Sequence, residues 1–255
     1  MIEIHDLFKR YDAGMPAVDG INLCIKTGEF LVLAGPSGCG KTTTLSMINR
    51  LVEPSRGTIL IDGVDAGESD PVALRRQMGF VFQDVGLFPH MNVAENIGIT
   101  LRLAGKQPQQ IAERVDNLLS LVQLLPQRYR DVMPAMLSGG QRQRVGVGRA
   151  LAAKPRIMLM DEPFGALDPL TRDELVSDYR RIHAELGLTT ILVTHDMSEA
   201  MLLGDRIVLM REGRIVQAGT PRELLSSPAD DFVRAMMESP LKHARALAEL
   251  QSDKA

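Results

Sequence analysis

Cysteine and large aromatic side chains are scarce in this sequence of 255 residues. Tryptophan is absent, aromatic residues make up 4%, and the two cysteines are Cys24 and Cys39. The pattern places Cys24 in a strand and Cys39 in a glycine-rich loop. We therefore expect no structural disulfide, and a reducing compartment.

Long apolar runs and a large excess of charge are also missing. No run approaches the roughly 18–20 apolar residues that span a bilayer, and the acidic first six residues do not resemble a secretory signal. The net charge of −3 offers no positive excess for a nucleic acid backbone. Hydrophobic residues at 45% and charged residues at 24% are typical of globular proteins. We expect a globular protein that does not itself cross a membrane and binds no nucleic acid.

What the sequence does contain is an alternation of strand and helix patterns. Short, continuously apolar runs at residues 30–34, 156–160 and 190–194 predict strands covered on both faces. Residues 206–218 predict a hairpin, and the first 30 residues alternate as strands do. These patterns predict an α/β fold with a mainly parallel core sheet, interrupted by a helical segment.

A glycine-rich loop lies between the first buried strand and a predicted helix. Its residues are Gly35, Pro36, Ser37, Gly38, Cys39, Gly40, Lys41 and Thr42, followed by Thr43. Glycines at this spacing let backbone N–H groups surround phosphate oxygens, and the helix directs its positive end at the same anion. Lys41 is expected to bind the β- and γ-phosphates and Thr42 to coordinate Mg²⁺. The alternative, a turn with an incidental lysine, is disfavoured by the strand before the loop and the helix after it.

Two carboxylates, Asp161 and Glu162, follow the second buried run. Ligands of open α/β sheets gather at the carboxyl ends of the strands. Asp161 is therefore expected to hold Mg²⁺, and Glu162 to polarise the attacking water. The alternative is a pair that caps the next helix.

Further motifs occur in a fixed order along the chain. They are Gln83 after a predicted strand, Leu137-Ser138-Gly139-Gly140-Gln141, Ala166-Leu167-Asp168 and His195. With the phosphate loop and the acidic pair, they resemble the motifs of the ATP-binding subunits of ATP-binding cassette (ABC) transporters. The resemblance covers roughly residues 1–235.

The resemblance implies a P-loop NTPase fold of the ABC type. Such a fold has a mainly parallel core sheet, an N-terminal antiparallel β-subdomain and an inserted helical subdomain. The ATPase domain is expected at residues 1–235, the helical subdomain at about 90–153, and a helical C-terminal tail at 236–255.

Roles for the remaining site residues also come from the resemblance. Gln83 is expected to contact Mg²⁺ and the attacking water, His195 the γ-phosphate, and Tyr11 the adenine ring. Asp168 would connect the two sites of a dimer. The segment from Ser138 to Gln141 would face the γ-phosphate bound by the other subunit, so that ATP lies between two chains.

The resemblance also implies partners and a location. The chain is expected to act as a homodimer, or paired with a similar ATPase, on permease subunits in the membrane. A substrate-binding protein would act indirectly. The cofactors would be ATP and Mg²⁺, and the location the cytoplasmic face of the inner or plasma membrane, as a peripheral subunit.

The solute is suggested by three further stretches, residues 86–91, 144–151 and 204–207. They resemble the ATPases of osmoprotectant importers, which carry glycine betaine, choline or other quaternary amines. The same role for an amino acid, a polyamine or an inorganic anion remains open. A soluble ABC ATPase acting on DNA or ribosomes would bring paired cassettes or long coiled-coil insertions, and a phosphate-loop kinase would lack the Leu137–Gln141 motif.

Overall fold

The computed structural model describes the backbone of residues 1–11 and 14–252, with side chains up to Lys242. The strands are β1 (Ile2–Lys9), β2 (Val18–Ile25), β3 (Phe30–Ala34), β4 (Arg56–Ile61), β5 (Val64–Asp65), β6 (Met78–Val81), β7 (Ile157–Asp161), β8 (Thr189–Thr194), β9 (Arg206–Arg211) and β10 (Arg214–Gly219). The helices are α1 (Lys41–Ile48), α2 (Pro71–Arg76), α3 (Val93–Leu103), α4 (Pro108–Leu121), α5 (Pro126–Tyr129), α6 (Gly139–Leu151), α7 (Pro169–Leu186), α8 (Met197–Leu203), α9 (Pro221–Ser226) and α10 (Asp231–Ser252). A short 3₁₀ turn covers Pro134–Met136.

The central sheet has six strands in the order β10-β9-β3-β8-β7-β6. All neighbours are parallel except β10, which forms the predicted hairpin with β9. Every residue of β3 and β8 is buried, as expected of strands covered on both faces. The mainly parallel α/β fold predicted from the sequence is confirmed.

A second, antiparallel sheet has the order β2-β1-β4-β5 and covers one face of the central sheet. Because side chains alternate along a strand, β3 contributes to two cores. Leu31 and Leu33 pack with the antiparallel sheet and with Leu45 of α1. Phe30 and Val32 belong to the core on the opposite face, with α7 and the segment from α3 to α6.

Between β6 and β7 the chain is helical, as predicted. Asn92 and Glu95 form a reciprocal capping box at the start of α3, each side chain accepting from the other residue's N–H at 2.8 Å. The sequence predicts an apolar stripe along α4, and its residues Val115, Leu118 and Leu119 are buried. This stripe packs α4 into the core of the segment.

The last helix, α10, begins at Asp231, so the boundary expected between residues 235 and 236 falls inside it. Val233 and Met237 are fully buried in the core. The sequence also predicts an apolar stripe of Leu241, Ala244, Leu247 and Leu250 in the tail, which lies outside the described side chains apart from Leu241. None of the helices described here is long and apolar enough to span a bilayer.

A small polar network is buried between α7 and β8. Thr190 Oγ1 lies 3.1 Å from Tyr179 Oη and 3.0 Å from His183 Nδ1. The centroids of the Phe30 and His183 rings are 4.8 Å apart. Burial lowers the pKa of His183, and the nearby Arg180 acts in the same direction.

This histidine predicts a pH dependence of stability. Its folded pKa lies below its unfolded value of about 6.5, so the unfolded chain binds more protons between the two values. The contribution of His183 to the free energy of unfolding is therefore present above about pH 6.5 and is lost as the pH falls through the folded pKa. His183→Asn, whose amide replaces Nδ1, should flatten the pH dependence measured by urea unfolding at a series of pH values. The exposed His90→Asn serves as the control; an equal slope for His183→Asn and the unmodified chain would contradict the prediction.

Candidate functional site

The glycine-rich loop connects β3 to α1 and has no room for side chains at two of its glycines. A Cβ on Gly35 would lie 2.2 Å from the carbonyl oxygen of Met210, and one on Gly40 would lie 2.2 Å from that of Ala17. Both glycines also have positive φ, +146° and +102°. Only glycine fits these positions without displacing the backbone. The loop therefore brings backbone N–H groups close together at the start of α1.

Lys41, the first residue of α1, is held inside this loop. Its side chain is 5% exposed, and Nζ donates hydrogen bonds to the carbonyls of Gly35 at 2.8 Å and Pro36 at 2.9 Å. Cys39 Sγ lies 3.8 Å from the same nitrogen. Burial raises the pKa of the Cys39 thiol. The ammonium group therefore stays in the loop, where an incoming anion would meet it.

The strands β3, β8 and β7 are neighbours and end at the same edge of the sheet. At this edge the Thr42 hydroxyl donates to Asp161 Oδ1 at 2.9 Å, and His195 Nδ1 donates to Glu162 Oε2 at 3.0 Å. The two pairs join residues 119 and 33 positions apart in the chain. Five residues that were singled out from the sequence thus lie at this edge: Lys41, Thr42, Asp161, Glu162 and His195.

Glu162 is held in an unusual backbone conformation. Its φ is +43°, in the left-handed region that side-chain-bearing residues seldom adopt, and its N–H donates to the Val193 carbonyl at 2.9 Å. Backbone strain of this kind is of order 1–3 kcal/mol and persists where the surroundings enforce it. The side chain thereby turns toward His195 at the end of β8.

The donor set at this edge fits Mg²⁺. Burial raises the pKa of Asp161 and the Glu162 charge adds to the rise, whereas the hydrogen bond from Thr42 and the charge of Lys41 oppose it. A half-buried carboxylate beside a hydroxyl offers the hard oxygen ligands that Mg²⁺ takes. Among the described residues there is no group of three or more acidic, histidine or cysteine side chains able to hold a metal.

Gln83 lies two residues after β6 with its side chain exposed. It lines a groove of about 480 Å³ whose other walls include Gly139, Pro163 and Leu167. No hydrogen bond in the described part of the chain joins Gln83 to Thr42 or Asp161. The structure therefore brings Gln83 beside the start of α6 and the segment after Glu162.

The Ser138–Gln141 motif forms the N-terminus of α6. Ser138 caps the helix, accepting from Gln141 N at 3.3 Å, while Gln141 Oε1 accepts from Ser138 N at 3.0 Å. The side-chain nitrogen Nε2 of Gln141 donates to Tyr129 Oη at 3.1 Å. Ser138 and Gly139 are exposed, whereas the Gln141 side chain makes its hydrogen bonds within the chain, to Ser138 and Tyr129. The helix thus presents its first N–H groups at the surface.

Asp168 lies next to this helix start. It caps α7, accepting from Thr171 N at 3.1 Å, and the hydrogen bonds with Thr171 lower its pKa. A Cβ on Gly140 would lie 2.4 Å from Thr171 Cγ2, so α6 and α7 are in close contact here.

The predicted site residues thus form two clusters. We name the first, Lys41, Thr42, Asp161, Glu162 and His195, the phosphate cluster. The second, Ser138, Gly139, Gly140 and Asp168, is the signature cluster. No hydrogen bond or ion pair among the residues that the structure describes joins the side chains of one cluster to those of the other.

Tyr11 stands apart from both clusters. Its ring is 58% exposed, and Lys9 Nζ lies 5.1 Å from the ring centroid. An exposed aromatic face can stack on a planar ring.

Two polar residues near His195 were missed from the sequence. Arg172 forms an ion pair with Asp196 at 3.2 Å, and the buried Glu199 accepts from the Thr194 hydroxyl at 2.6 Å. Glu199 is four residues from His195 and could have been noticed there. Arg172 could not, because only the packing of α7 against the end of β8 brings it close.

Comparison with known proteins gives these clusters a context. Residues 18–165 match the family model described as ABC transporter. The choline transport ATP-binding protein OpuBA of Bacillus subtilis is 52% identical over 233 residues, which are 91% of this chain and 61% of that protein. The osmoprotectant import protein OsmV of Salmonella typhimurium is 48% identical, over 91% and 62% of the two chains. The sulfate/thiosulfate import protein CysA of Bordetella parapertussis is 49% identical, over 91% and 65%.

A solved structure agrees with the fold. The ATP-binding cassette MJ0796, determined as a dimer in a post-hydrolysis state with ADP and Pi, is 33% identical with a TM-score of 0.78. The match covers 86% of this chain and 98% of that one. The chain spans about 60% of the length of the curated relatives OpuBA and OsmV. From the family match and these identities, the chain belongs to the ABC transporter family.

Proposed function

We propose that this chain is the ATP-hydrolysing subunit of an ABC importer. The observation that carries the proposal is the phosphate cluster, in which a buried lysine, a hydroxyl, two carboxylates and a histidine meet at one sheet edge. Backbone N–H groups, Lys41 and the N-terminus of α1 would bind the nucleotide phosphates. Tyr11 would stack on the adenine ring.

Hydrolysis is assigned to Glu162, which accepts a proton from the attacking water. His195 donates to the carboxylate of Glu162 at 3.0 Å, and we propose that it orients this group and contacts the γ-phosphate. Thr42, Asp161 and Gln83 would hold Mg²⁺, which neutralises phosphate charge when bound. Hydrolysis transfers the γ-phosphoryl group to water, whereas a kinase would transfer it to a second substrate.

The signature cluster is proposed to act in trans. Ser138 and Gly139 are exposed at a helix N-terminus, an environment that favours anions, with Gly140 buried behind them. Among the described residues, no hydrogen bond or ion pair joins this cluster to the phosphate cluster of the same chain. Two copies arranged face to face would place each signature cluster on the other copy's nucleotide. The dimeric form of the MJ0796 structure supports this arrangement.

Binding of ATP between two copies would favour the closed dimer, and hydrolysis would allow reopening. We propose that this cycle drives permease subunits at the cytoplasmic face of the membrane, with the chain bound peripherally and a substrate-binding protein delivering solute. The groove lined by Gln83 lies beside both clusters, which makes it suited to transmit the motion.

For the solute we propose a quaternary amine such as choline or glycine betaine. The names of OpuBA and OsmV support this. CysA, named for sulfate and thiosulfate, is 49% identical and favours an inorganic anion as the second candidate. OpuBA and CysA are 52% and 49% identical to this chain, so the two candidates are separated by measuring uptake.

The role of Glu162 is tested by Glu162→Gln. Loss of the proton acceptor should lower kcat for ATP hydrolysis by about a hundredfold or more while ATP still binds. Lys41→Ala should instead weaken ATP binding itself, because it removes the cation of the loop. Phosphate release and binding of a fluorescent ATP analogue distinguish the two variants. Turnover of Glu162→Gln at the rate of the unmodified chain would remove Glu162 from the reaction.

The arrangement in trans is tested by Ser138→Arg. The bulky side chain should obstruct the dimer seam, so that ATP binds with nearly unchanged affinity while kcat falls at least tenfold. The control is Ser120→Arg, on the exposed face of α4. For sedimentation with ATP, both substitutions are made in the Glu162→Gln background. The Ser120→Arg control should then form dimers, and Ser138→Arg should remain monomeric. Normal hydrolysis by monomeric Ser138→Arg would refute a shared site.

The solute is tested by uptake. The chain, produced with its permease and substrate-binding protein, should support ATP-dependent accumulation of labelled choline or glycine betaine in vesicles. Lys41→Ala provides the matched inactive control. Accumulation of sulfate without choline or glycine betaine would favour the second candidate, and ATP hydrolysis that is unaffected by the permease would contradict an importer role.

A further inference from the structure

Arg172 lies in the first turns of α7 and bonds to two different segments at once. Its Nη2 donates to the Leu167 carbonyl at 3.1 Å, and its Nη1 donates to Asp196 Oδ2 at 3.2 Å. The side chain is 27% exposed. One guanidinium therefore connects the turn before Asp168 to the residue after His195.

The segment around His195 is fixed from within as well. The Thr194 hydroxyl donates to Glu199 Oε2 and accepts from Asp196 N, at 2.6 and 3.0 Å. Asp196 Oδ1 caps α8, accepting from Ser198 N at 2.7 Å. Both chain neighbours of His195 are thus held by side-chain hydrogen bonds. The His195 ring itself is 56% exposed, and its hydrogen bond to Glu162 depends on how this segment is placed.

We propose that Arg172 is a positioning residue for ATP hydrolysis. By bonding to both segments, it fixes the position of His195 beside Glu162 relative to the turn at Leu167 and Asp168. The inference rests on the proposed ATPase function. Asp168 belongs to the signature cluster, which we propose meets the partner copy. Arg172 then links the surface that meets the partner to the histidine of the chain's own phosphate cluster.

The hydrogen bonds of the Arg172 guanidinium can rearrange. Arg172 Nε is buried and has no hydrogen-bond partner among the described residues, and it lies 3.9 Å from Glu199 Oε1. That distance is outside hydrogen-bonding range, but a shift of about 1 Å would close it. A displaced Leu167 turn would move the guanidinium, and Asp196 with it. Closure of the dimer could therefore reach His195 through a small rearrangement of one side chain.

Arginine is suited to this task and lysine is not. The planar guanidinium presents several donors in a fixed geometry and can serve the Leu167 carbonyl and the Asp196 carboxylate together. A lysine amine is a single point donor on a flexible stem. Arg172→Lys should therefore keep the charge near Asp196 but lose the fixed distance to the Leu167 turn.

The first experiment compares Arg172→Ala and Arg172→Lys with Arg181→Ala in steady-state ATP hydrolysis by the full chain. Arg181 lies on the same helix, is 47% exposed and pairs with Glu185, so it controls for loss of an α7 arginine. We expect kcat to fall roughly tenfold to a hundredfold for Arg172→Ala and less for Arg172→Lys, with KM within about twofold. Arg181→Ala should retain the unmodified kcat. A normal kcat for Arg172→Ala, or a KM increase with unchanged kcat, would overturn the proposal.

The second experiment asks whether Arg172 acts through His195. Each Arg172 variant is combined with His195→Ala, and slow rates are followed in a single-turnover assay with γ-labelled ATP. If Arg172 acts by placing His195, the double variant should be no slower than His195→Ala alone. Independent, multiplying losses would indicate a merely structural role and overturn the proposal. Should Arg172→Ala fail to fold, Arg172→Lys decides by the same comparison.

The ATPase function and the role of Arg172 are contradicted by different results. If the unmodified chain binds but does not hydrolyse ATP, the proposed function is wrong and the role of Arg172 is lost with it. If the unmodified chain hydrolyses ATP and the Arg172 variants match it, the positioning role alone is wrong.

Discussion

The parallel pairing of β3 with β8 and of β8 with β7 is the constraint on which the rest of this structure depends. Because neighbouring parallel strands end at the same edge, three segments far apart in sequence deliver their polar residues to one place. Lys41 and Thr42 come after β3, Asp161 ends β7 with Glu162 directly after it, and His195 follows β8. The strands are fully buried over most of their length, so the edge is fixed by the core and not by the loops.

The fold and the identity of the polar residues could be predicted because both leave local marks in the sequence. The buried strands are continuous apolar runs, the α3 cap is an Asn and a Glu three residues apart, and the phosphate loop has its own spacing of glycines. Each of these marks reflects a constraint within a few residues. Their order along the chain was enough to assign the fold class.

The geometry of the site could not be predicted in the same way, because it arises from contacts between distant segments. Gly40 must be glycine because of the carbonyl of Ala17, which lies just before β2 and more than twenty residues earlier in the chain. The left-handed conformation of Glu162 depends on its hydrogen bond to Val193 on the next strand. Arg172 carries no local signal at all. Such residues become visible only when the sheet and α7 are in place.

The separation of the two clusters has a consequence for control. A single cluster that contained every reactive group would hydrolyse ATP whenever it bound, whether or not a partner was present. In the arrangement that we propose, Ser138, Gly139 and Gly140 act on the nucleotide of the other copy, so that completion of the site depends on a second copy. Thr171 is packed against Gly140 and donates its N–H to Asp168, and the carbonyl of the neighbouring Leu167 accepts a hydrogen bond from Arg172. The surface that would sense the partner is therefore connected, through one arginine and Asp196, to the histidine bonded to Glu162, and hydrolysis can be made conditional on closure without any change in the core.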